Sequence, residues 1–429
     1  MLSQWSKNWE VSLVFGHTAQ SRLIVVAGAH HWRPVCCLAR SFDLSVRGWY
    51  HCPASEPLAS SGERTACRVA RIIVSPLSWG LGHITRDAPL VDFLRAKGHE
   101  VVFIATGRAL AYAQRRWPEC RSIELADMPP PYSKSRFFLP QFIRSIPRML
   151  KAIKVEHEEA LRIFAEVKPD LIFSDNRYGI YSPEVPSFIL SHQIRLKVPR
   201  WAAPIEVFTE AWARGHLKHF TRVIVPDYDG EKILSGRLSH HLHFWREGEL
   251  YYAGQLSTIR SMNVPQDIAV FISISGPEPQ RALLEQIVRR QAPAIEGLGK
   301  IVVTLGRPEA SGTEKLGRDI DCFSFLPSER QQEMMNRARI VVSRSGYTTV
   351  MELAELGRRA LYIPTPGQTE QEYLSRFYRR EGLFYSASQF KLDLARDLER
   401  AAAFPGFQAP RTTQENVQRL YDELLAPRL

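Results

Sequence analysis

The sequence predicts an α/β protein with two doubly wound parallel sheets that face a cleft. From Val69 onward, short apolar runs alternate with helix-like segments, which is the pattern of a parallel sheet joined by crossover helices. The alternation begins again at Ala269, and the linker-like run Asn263-Val264-Pro265 separates the two series. We therefore expect two Rossmann-like domains, residues 69–262 and residues 263–429.

Residues 1–68 differ from the rest of the chain, because they show no sustained helical or strand periodicity. They hold four of the six cysteines, and none of these forms the C-x-x-C pair that is typical of a zinc site. The start lacks the charged-then-apolar pattern of a signal peptide. We expect a poorly ordered extension, or translated sequence upstream of the true start, in a protein of the reducing cytoplasm.

The first series predicts six strands and three helices. The strands are expected at 71–75, 100–106, 122–126, 170–174, 187–191 and 222–225. The helices are expected at 82–97, 108–116 and 138–167, with Pro140 and Pro147 breaking or kinking the last one.

The second series predicts five strands, a central helix and a closing helix. The strands are expected at 269–275, 301–305, 322–325, 340–343 and 360–363, and the helices at 348–356 and 412–425. This order places polar turns at the carboxyl ends of strands, where open α/β sheets bind ligands.

The net charge of +11 and the pI near 9.4 favour an anionic partner, such as a nucleotide, a phospholipid surface or nucleic acid. No nucleic-acid-binding module is recognisable, so we expect no nucleic-acid partner. The segment 134–154 is basic and apolar, with no acidic residue before Glu156. It suits peripheral contact with an anionic membrane on its inner face, or a helix that buries one side in a soluble domain.

The run from Ser343 to Glu352 is the strongest indication of a ligand site. It follows an apolar strand and opens a helix, whose free N–H groups and partial positive charge suit a phosphate at Ser345 and Gly346. Glu352 lies more than one turn into the helix, where its carboxylate can accept both hydrogens of a ribose diol. A site for both a phosphate and a ribose diol indicates a nucleotide. The alternative is an ordinary strand-to-helix connection in which Ser345 is the N-cap.

Two further turns of the second domain could contribute to the same site. Ser275 and Gly276 end the strand 269–275 and could hold phosphate oxygens, with Arg281 nearby, although a proline-started helix explains the turn equally. Gln371 and Glu372 follow the strand 360–363 and could bind sugar hydroxyls. Thr369 and Glu372 also have the spacing of a capping box, which is the alternative for Glu372.

The first domain has a candidate acceptor side around Gly80, Gly82 and His83, which lead from the first strand into a helix. His83 could act as a general base, although capping or packing is an equal alternative. Asp175 and His192 also follow strands and could line the cleft or anchor loops.

The pair Asp227 and Asp229 could chelate a divalent metal. It follows Pro226 and precedes Gly230, so we favour a turn over a metal site.

Together these segments resemble the family 28-type glycosyltransferases of the GT-B fold, over about residue 70 to the C-terminus. That group includes the enzyme that adds N-acetylglucosamine to the lipid-linked peptidoglycan precursor, and plant galactolipid synthases. The resemblance is carried by Gly80-Leu81-Gly82-His83, Ser275-Gly276, Phe325-Leu326-Pro327, Ser343-Arg344-Ser345-Gly346, Glu352 and Gln371-Glu372.

The resemblance implies an acceptor domain followed by a domain that binds a nucleotide sugar, usually a UDP-sugar, as co-substrate with no other cofactor. It implies that Glu352 binds ribose, and that the turn from Arg344 to Gly346 binds the diphosphate together with Ser275-Gly276. It also implies that Gln371 and Glu372 bind the sugar and that Phe325 and Leu326 flank the base. His83 would deprotonate the acceptor in an inverting transfer that needs no catalytic metal.

Two other functions remain open from the sequence. A UDP-sugar epimerase would share the two-domain fold and the donor site, and a non-catalytic protein could bind the nucleotide sugar alone. The acceptor, the sugar, the nucleotide and the oligomeric state are not predicted.

Overall fold

A computed structural model describes residues 69–129, 138–198 and 203–429 of the chain. The expectations for residues 1–68, and for positions 134–137 of the basic segment, lie outside these ranges. No helix within them is both long enough and apolar enough to cross a membrane.

The first sheet is entirely parallel, as the alternation of strands and helices predicts. Its seven strands are β1 (Arg71–Pro76), β2 (Glu100–Ala105), β3 (Arg121–Glu124), β4 (Leu171–Asp175), β5 (Ser187–Leu190), β6 (Arg222–Val225) and β7 (Leu250–Tyr252). They lie in the order β3-β2-β1-β4-β5-β6-β7. The central strands are apolar on both faces because helices cover both sides, and Ile72, Ile73 and Val74 are all fully buried.

Four helices accompany this sheet: α1 (Leu81–Ala96), α2 (Gly107–Arg116), α3 (Phe138–Val167) and α4 (Ile205–Leu217). The predicted prolines do not break α3, because the helix is continuous through Pro147. Pro140 lies in the first turn, where an N–H has no partner within the helix. Pro147 removes one hydrogen bond from a helix of 30 residues, which the remaining bonds and packing tolerate.

The second sheet also has seven strands: β8 (Ile268–Ser273), β9 (Ile301–Thr304), β10 (Thr313–Gly317), β11 (Ile320–Phe323), β12 (Ala338–Ser343), β13 (Arg359–Tyr362) and β14 (Tyr385–Ser386). Their order is β10-β11-β9-β8-β12-β13-β14. Only β10 within this sheet runs antiparallel to its neighbour, and it occupies an edge.

Six helices follow in the second half of the chain: α5 (Gln280–Gln291), α6 (Ser328–Arg337), α7 (Tyr347–Leu356), α8 (Thr369–Arg380), α9 (Leu394–Ala402) and α10 (Thr413–Leu420). A capping box starts α10, in which Thr412 and Glu415 bind each other's backbone N–H groups.

The closing helix α10 packs on the first domain, a placement that the sequence did not predict. Val417 and Leu420 belong to the core beneath the first sheet, as does Tyr421 in the turn that follows. The Tyr421 hydroxyl lies 2.8 Å from His99 Nε2. The chain therefore returns to its first domain after completing the second, and the predicted boundary near residue 262 falls between β7 and β8.

Candidate active site

The carboxyl ends of strands from both sheets meet at one cleft. His192 follows β5 of the first sheet, and its ring stacks on Tyr347 at the start of α7 with 4.4 Å between centroids. A Cβ added to Gly82 in α1 would lie 2.6 Å from Thr348 Oγ1. The missing side chain of Gly82, which we had placed on the candidate acceptor side, therefore permits the start of α7 to approach α1. Gly80 is the N-cap of α1 in an extended conformation, with open space around it.

His83 and Asp175 form a dyad at this cleft. His83 Nδ1 lies 3.0 Å from Asp175 Oδ1, and Asp175 is fully buried at the end of β4. Burial alone would raise the pKa of Asp175, but the ion pair with Arg86 and the contact with His83 hold it well below its usual range. Nδ1 of His83 contacts both an acceptor and a donor, because Nη2 of Arg86 also lies 3.0 Å from it and a guanidinium only donates. Nε2 of His83 makes no hydrogen bond with the described residues, and it is the proton acceptor of the ring when Asp175 holds the proton on Nδ1.

Arg86 connects this dyad to the opposite domain. Its Nε lies 2.6 Å from Asp175 Oδ2, and its Nη1 lies 2.9 Å from His192 Nδ1. His192 Nε2 in turn lies 3.3 Å from Glu370 Oε1 at the start of α8. Burial lowers the pKa of His192, while Glu370 opposes that shift. A continuous polar chain therefore runs from His83 to the second domain.

Glu370 is the functional candidate that the sequence reasoning missed. Its carboxylate accepts from Gln193 at 3.2 Å in addition to its contact with His192, and it lines the cleft beside Gln371. Glu372 accepts from the backbone N–H of Gly367 at 3.0 Å and so stabilises that turn, and it is not among the residues that line the cavity. The sequence feature that could have identified Glu370 is its position directly before Gln371, in the first turn of α8.

Gln371 has one half of its amide fixed and the other half free. Its Oε1 accepts from Thr365 N at 2.8 Å, whereas its Nε2 makes no hydrogen bond with the described residues and lies near Gly346. The capping box proposed for α8 does not form, because the N-cap is Gln368 and makes no side-chain cap bond. Gln371 is thus held at the site with a donor available.

The hydroxyl of Ser345 is used within the protein. It donates to the backbone oxygen of Gln371 at 2.9 Å and accepts from Ser375 at 2.9 Å, so it holds α8 against the turn. The N-cap of α7 is Gly346, not Ser345 as the alternative held. What the turn offers a ligand is therefore its backbone, including the unpaired N–H groups of the first helical turn.

Arg344 places a buried positive charge beneath the turn. Its guanidinium donates to the backbone oxygens of Ser275 at 3.2 Å, Ile363 at 3.0 Å, Pro364 at 3.3 Å and Gln280 at 3.0 Å. All four acceptors are neutral carbonyl groups, and burial lowers the pKa of Arg344 to about 10. Arg344 therefore ties the strand ends together and carries a charge that no carboxylate within the described ranges neutralises.

Gly276 lies directly over this charge. Its φ of +113° is a conformation that side chains rarely adopt, and an added Cβ would lie 3.5 Å from Thr365 Oγ1 and 3.6 Å from Arg344 Nε. Thr365 Oγ1 is buried and has no hydrogen-bond partner in the described part of the chain. A small polar recess thus adjoins the exposed backbone of Ser275 and Gly276.

Neither charge of the following segment is free for a ligand. Glu278 pairs with Arg281, which also donates to Glu285 at 3.0 Å and to the backbone oxygen of Leu305 at 3.0 Å. The negative charge of Glu278 is thereby neutralised away from the turn, and Arg281 is not the phosphate cation that its position in the sequence suggested.

Glu352 is a half-buried carboxyl group without a hydrogen-bond partner among the described residues. Burial raises its pKa from 4.5 to about 8. The nearby Tyr362 hydroxyl is also buried and unpartnered.

Phe325 and Leu326 differ in what they can offer a base. Phe325 is 44% exposed, whereas Leu326 is buried in the core of the second domain. Only the backbone of Leu326 is therefore available, while the Phe325 ring can contact a ligand.

A cavity of about 270 Å³ adjoins His83. Its first-domain wall includes Trp79, Met128, Met149 and Tyr178, and its opposite wall is the segment 367–371. The same cavity therefore touches the proton acceptor and the start of α8.

Asp227 forms the turn that we favoured over a metal site. Its oxygens accept from the backbone N–H groups of Tyr228, Leu234 and Ser235, each at 2.7 Å, and lie 2.8 Å from His240 Nε2. These donors occupy a carboxylate that a metal ion would need.

The comparisons with known proteins agree with this architecture. Residues 280–422 match the glycosyltransferase family 28 C-terminal domain. An uncharacterized glycosyltransferase of Methanosarcina mazei is 22% identical over 377 residues, covering 83% of this chain and 96% of its own length. UDP-N-acetylglucosamine–N-acetylmuramyl-(pentapeptide) pyrophosphoryl-undecaprenol N-acetylglucosamine transferase of Clostridium botulinum is 22% identical over 283 residues, covering 66% of this chain and 75% of its own.

Among solved structures, the glycotransferase of kitacinnamycin has a TM-score of 0.57 at 14% identity, covering 84% of this chain and 96% of that one. This similarity concerns the fold, and it agrees with two parallel-sheet domains meeting at a cleft. From the matched domain, the relatives and the fold, we conclude that the chain has the GT-B fold, that its residues 280–422 match the family 28 C-terminal domain, and that it resembles glycosyltransferases of that type.

Proposed function

We propose that the protein transfers a sugar from a UDP-sugar to an acceptor hydroxyl with inversion at the anomeric carbon. The observation that carries this proposal is the pairing of the His83–Asp175 dyad with the free carboxyl of Glu352 and the helix N-terminus at Gly346. The Clostridium botulinum relative is named for a UDP-sugar donor, which supports uracil as the base.

On the donor side, the diphosphate lies on the backbone of Gly346 and Gly276. The N-terminus of α7 and the guanidinium of Arg344 supply positive potential there. Glu352 accepts the ribose hydroxyls, and Phe325 contacts the base. Gln371 donates to the sugar through its free Nε2, and we assign Glu370 to the sugar hydroxyls in place of Glu372.

In the transfer step, Nε2 of His83 takes the proton from the acceptor hydroxyl. The acceptor oxygen forms a bond to the anomeric carbon while the bond from that carbon to the diphosphate oxygen breaks. The electron pair leaves with UDP. Arg344 and the helix N-terminus stabilise the negative charge on the departing diphosphate, so this step requires no catalytic metal. Asp175 stabilises the imidazolium that forms.

The test measures UDP release from a panel of UDP-sugars in the presence of host lipid extract. We expect turnover by the wild type, and a loss of about 10²- to 10⁴-fold in kcat for His83→Gln with unchanged UDP affinity. The matched control is His219→Gln, an exposed histidine of the same domain.

Two outcomes would contradict the proposal. Epimerised sugar appearing without any acceptor would identify an epimerase instead. UDP binding without turnover, in well-folded protein, would indicate a non-catalytic binding protein.

We also propose that the basic face of α3 contacts an anionic membrane. Arg144, Arg148, Lys151 and Lys154 are all exposed on this helix. Positive charges near an anionic surface each contribute about 1 kcal/mol to binding. Co-sedimentation with phosphatidylglycerol vesicles should decrease when Arg148 and Lys151 are both changed to Gln, and equal binding by this variant would remove the proposal.

A further inference from the structure

The cavity beside His83 has an apolar first-domain wall. Trp79 and Met128 lie on one side, Met149 projects from α3, and Trp212 projects from α4. Tyr178 packs edge-on against Trp212 with 5.5 Å between ring centroids. Aromatic rings and thioethers favour contact with apolar ligand surface, since they lose little hydration when covered.

The charged groups around this cavity are already paired. Among the described lining residues, the one lysine is Lys197, which pairs with Glu206 at 2.5 Å and lies 4.8 Å from the Tyr373 ring centroid. Its lining histidines contact carboxylates, His83 that of Asp175 and His192 that of Glu370. A pyrophosphate entering this space would therefore lose hydration without gaining a free cation.

The cavity nevertheless has unpaired groups that can orient one oxygen. Nε1 of Trp212 is buried without a hydrogen-bond partner in the described structure. The side-chain amide of Asn176 makes no hydrogen bond with the described residues and lines the same space. Burial raises the pKa of Tyr178 to about 12, so its hydroxyl stays neutral. Donors without charge suit an alcohol or ether oxygen.

We infer that the acceptor is an uncharged alcohol whose hydroxyl is carried on an apolar body that fills this cavity. This inference rests on the proposed transferase function and specifies the substrate class of the same site. The apolar body contacts Trp79, Met149 and Trp212, and the hydroxyl lies between Nε2 of His83 and the sugar held by α8. The same chemistry is offered by a small ring alcohol and by a glyceride lipid.

The experiment compares four acceptor probes with one UDP-sugar and the wild-type protein. The probes are 2-naphthol, dioleoylglycerol in mixed micelles, free N-acetylglucosamine, and a polyprenyl-pyrophosphoryl sugar. We expect 2-naphthol or dioleoylglycerol to raise UDP release at least tenfold over the acceptor-free rate, and the stronger of the two identifies the source. Stimulation by either sugar probe, with neither apolar probe active, would overturn the inference.

Calorimetric titrations separate this inference from the function on which it rests. UDP is titrated alone, and 2-naphthol is titrated without donor. Binding of UDP while both apolar probes neither bind nor react would overturn the acceptor class and leave the donor site standing. Absence of UDP binding would instead count against the proposed transferase.

A matched pair of variants on α3 tests the cavity wall directly. Met149→Gln places an amide of similar length in the wall, and we expect the KM of the active apolar probe to rise about tenfold, with the KM of the UDP-sugar unchanged. Leu161→Gln changes a residue of the same helix that is 41% exposed, and it should leave both constants unchanged. Equal KM values for the apolar probe in wild type and Met149→Gln would contradict the assignment.

Discussion

Glu352 shows how one residue can link ligand binding to stability. Its pKa rises from 4.5 to about 8 because the folded protein buries a carboxyl that nothing in the described structure hydrogen-bonds. Between these two values the unfolded chain has released a proton that the folded protein still holds. Stability must therefore fall as pH rises from 4.5 to about 8, and it changes no further above that range.

The variant Glu352→Gln should remove this penalty. We expect its melting temperature to exceed that of the wild type by roughly 2–4 °C at pH 8, and to match it near pH 5. Differential scanning calorimetry at both pH values measures the difference. An equal gain at both would show that ionisation is not the cause.

The same ionisation should control nucleotide affinity. Ribose hydroxyls donate more strongly to a carboxylate, so UDP affinity of the wild type should rise with pH, by up to about fivefold between pH 7 and pH 8, and level off above about pH 9. Glu352→Gln should bind UDP roughly ten- to a hundredfold more weakly, without that rise. Calorimetric titration of both proteins tests this, since any titration of UDP itself is common to the two.

At the scale of single residues, the sequence motifs predicted where the site lies better than they predicted which side chains face it. The sequence identified the turn at Gly346, but the hydroxyl of Ser345 donates to the backbone oxygen of Gln371 instead of facing a ligand. It selected Glu372, whereas Glu370, two residues earlier, lines the cleft. Two residues along a helix rotate a side chain by about 200°, so this choice depends on where the helix begins. The contact between Glu370 and His192 also joins different domains, and no local pattern predicts it.

Among the elements of the fold, the turn after β8 is the part of the proposed donor site where a side chain is least tolerated. Its Gly276 has φ +113°, and the recess beside it holds Thr365 and Arg344. The backbone oxygen of Ser275 in this turn accepts from Nε of Arg344 at 3.2 Å, so the turn is anchored on the guanidinium. The turn can therefore be altered with a defined effect on both stability and binding.

The variant Gly276→Ala should lose stability and UDP affinity together. Strain at positive φ costs about 1–2 kcal/mol, and displacement of the amides should weaken UDP binding roughly tenfold. Gly98→Ala is the control, because Gly98 has φ +87° and open space around it, and it lies in the other domain between α1 and β2. It should lose similar stability and bind UDP normally. Normal UDP binding by Gly276→Ala would exclude this turn from the donor site.

The regular elements were predictable where apolar periodicity was long. The buried strands of both sheets match the sequence expectation closely, and so do α1 and α7. The missed strands are β7, β10 and β14, which have three, five and two residues, and the outward residues of β10 are charged or polar. β7 and β14 are too short to show an alternating pattern, although β14 is buried, and β10 lacks such a pattern because its first three residues are exposed. Their pairing depends on the neighbouring strand, which sequence periodicity does not reveal.

At the scale of the whole molecule, the two domains are joined by polar contacts of three tyrosines. The hydroxyls of Tyr347 and Tyr378 in the second domain donate to backbone oxygens of Pro226 and Leu234, and the hydroxyl of Tyr373 accepts from the N–H of Arg237 at 2.6 Å. Asp227 fixes the loop that carries these partners. Helix α10 adds an apolar connection, because it belongs to the second half of the chain but packs under the first sheet.

This coupling predicts that a ligand of the second domain stabilises the first. All nine tryptophans precede residue 246, so tryptophan fluorescence reports only on the first domain and the segment before it. Trp117 is buried in the first-domain core and stacks on Phe103. UDP at about 100 times its Kd stabilises the folded state by roughly 2.7 kcal/mol, and if both domains unfold together its melting temperature rises by roughly 3–5 °C.

Fluorescence and far-ultraviolet circular dichroism should therefore record the same transition, shifted equally by UDP. Leu420→Ala removes a buried side chain from the contact of α10 with the first domain, and it should lower the free energy of unfolding in this common transition by about 2–5 kcal/mol. Leu283→Ala changes a residue that is 39% exposed, and it should leave that free energy nearly unchanged. A fluorescence transition that ignores UDP, beside a second transition that UDP shifts, would mean that the domains unfold separately. The tyrosine contacts and α10 would then hold the domains together without making their folding cooperative, because each sheet has its own core.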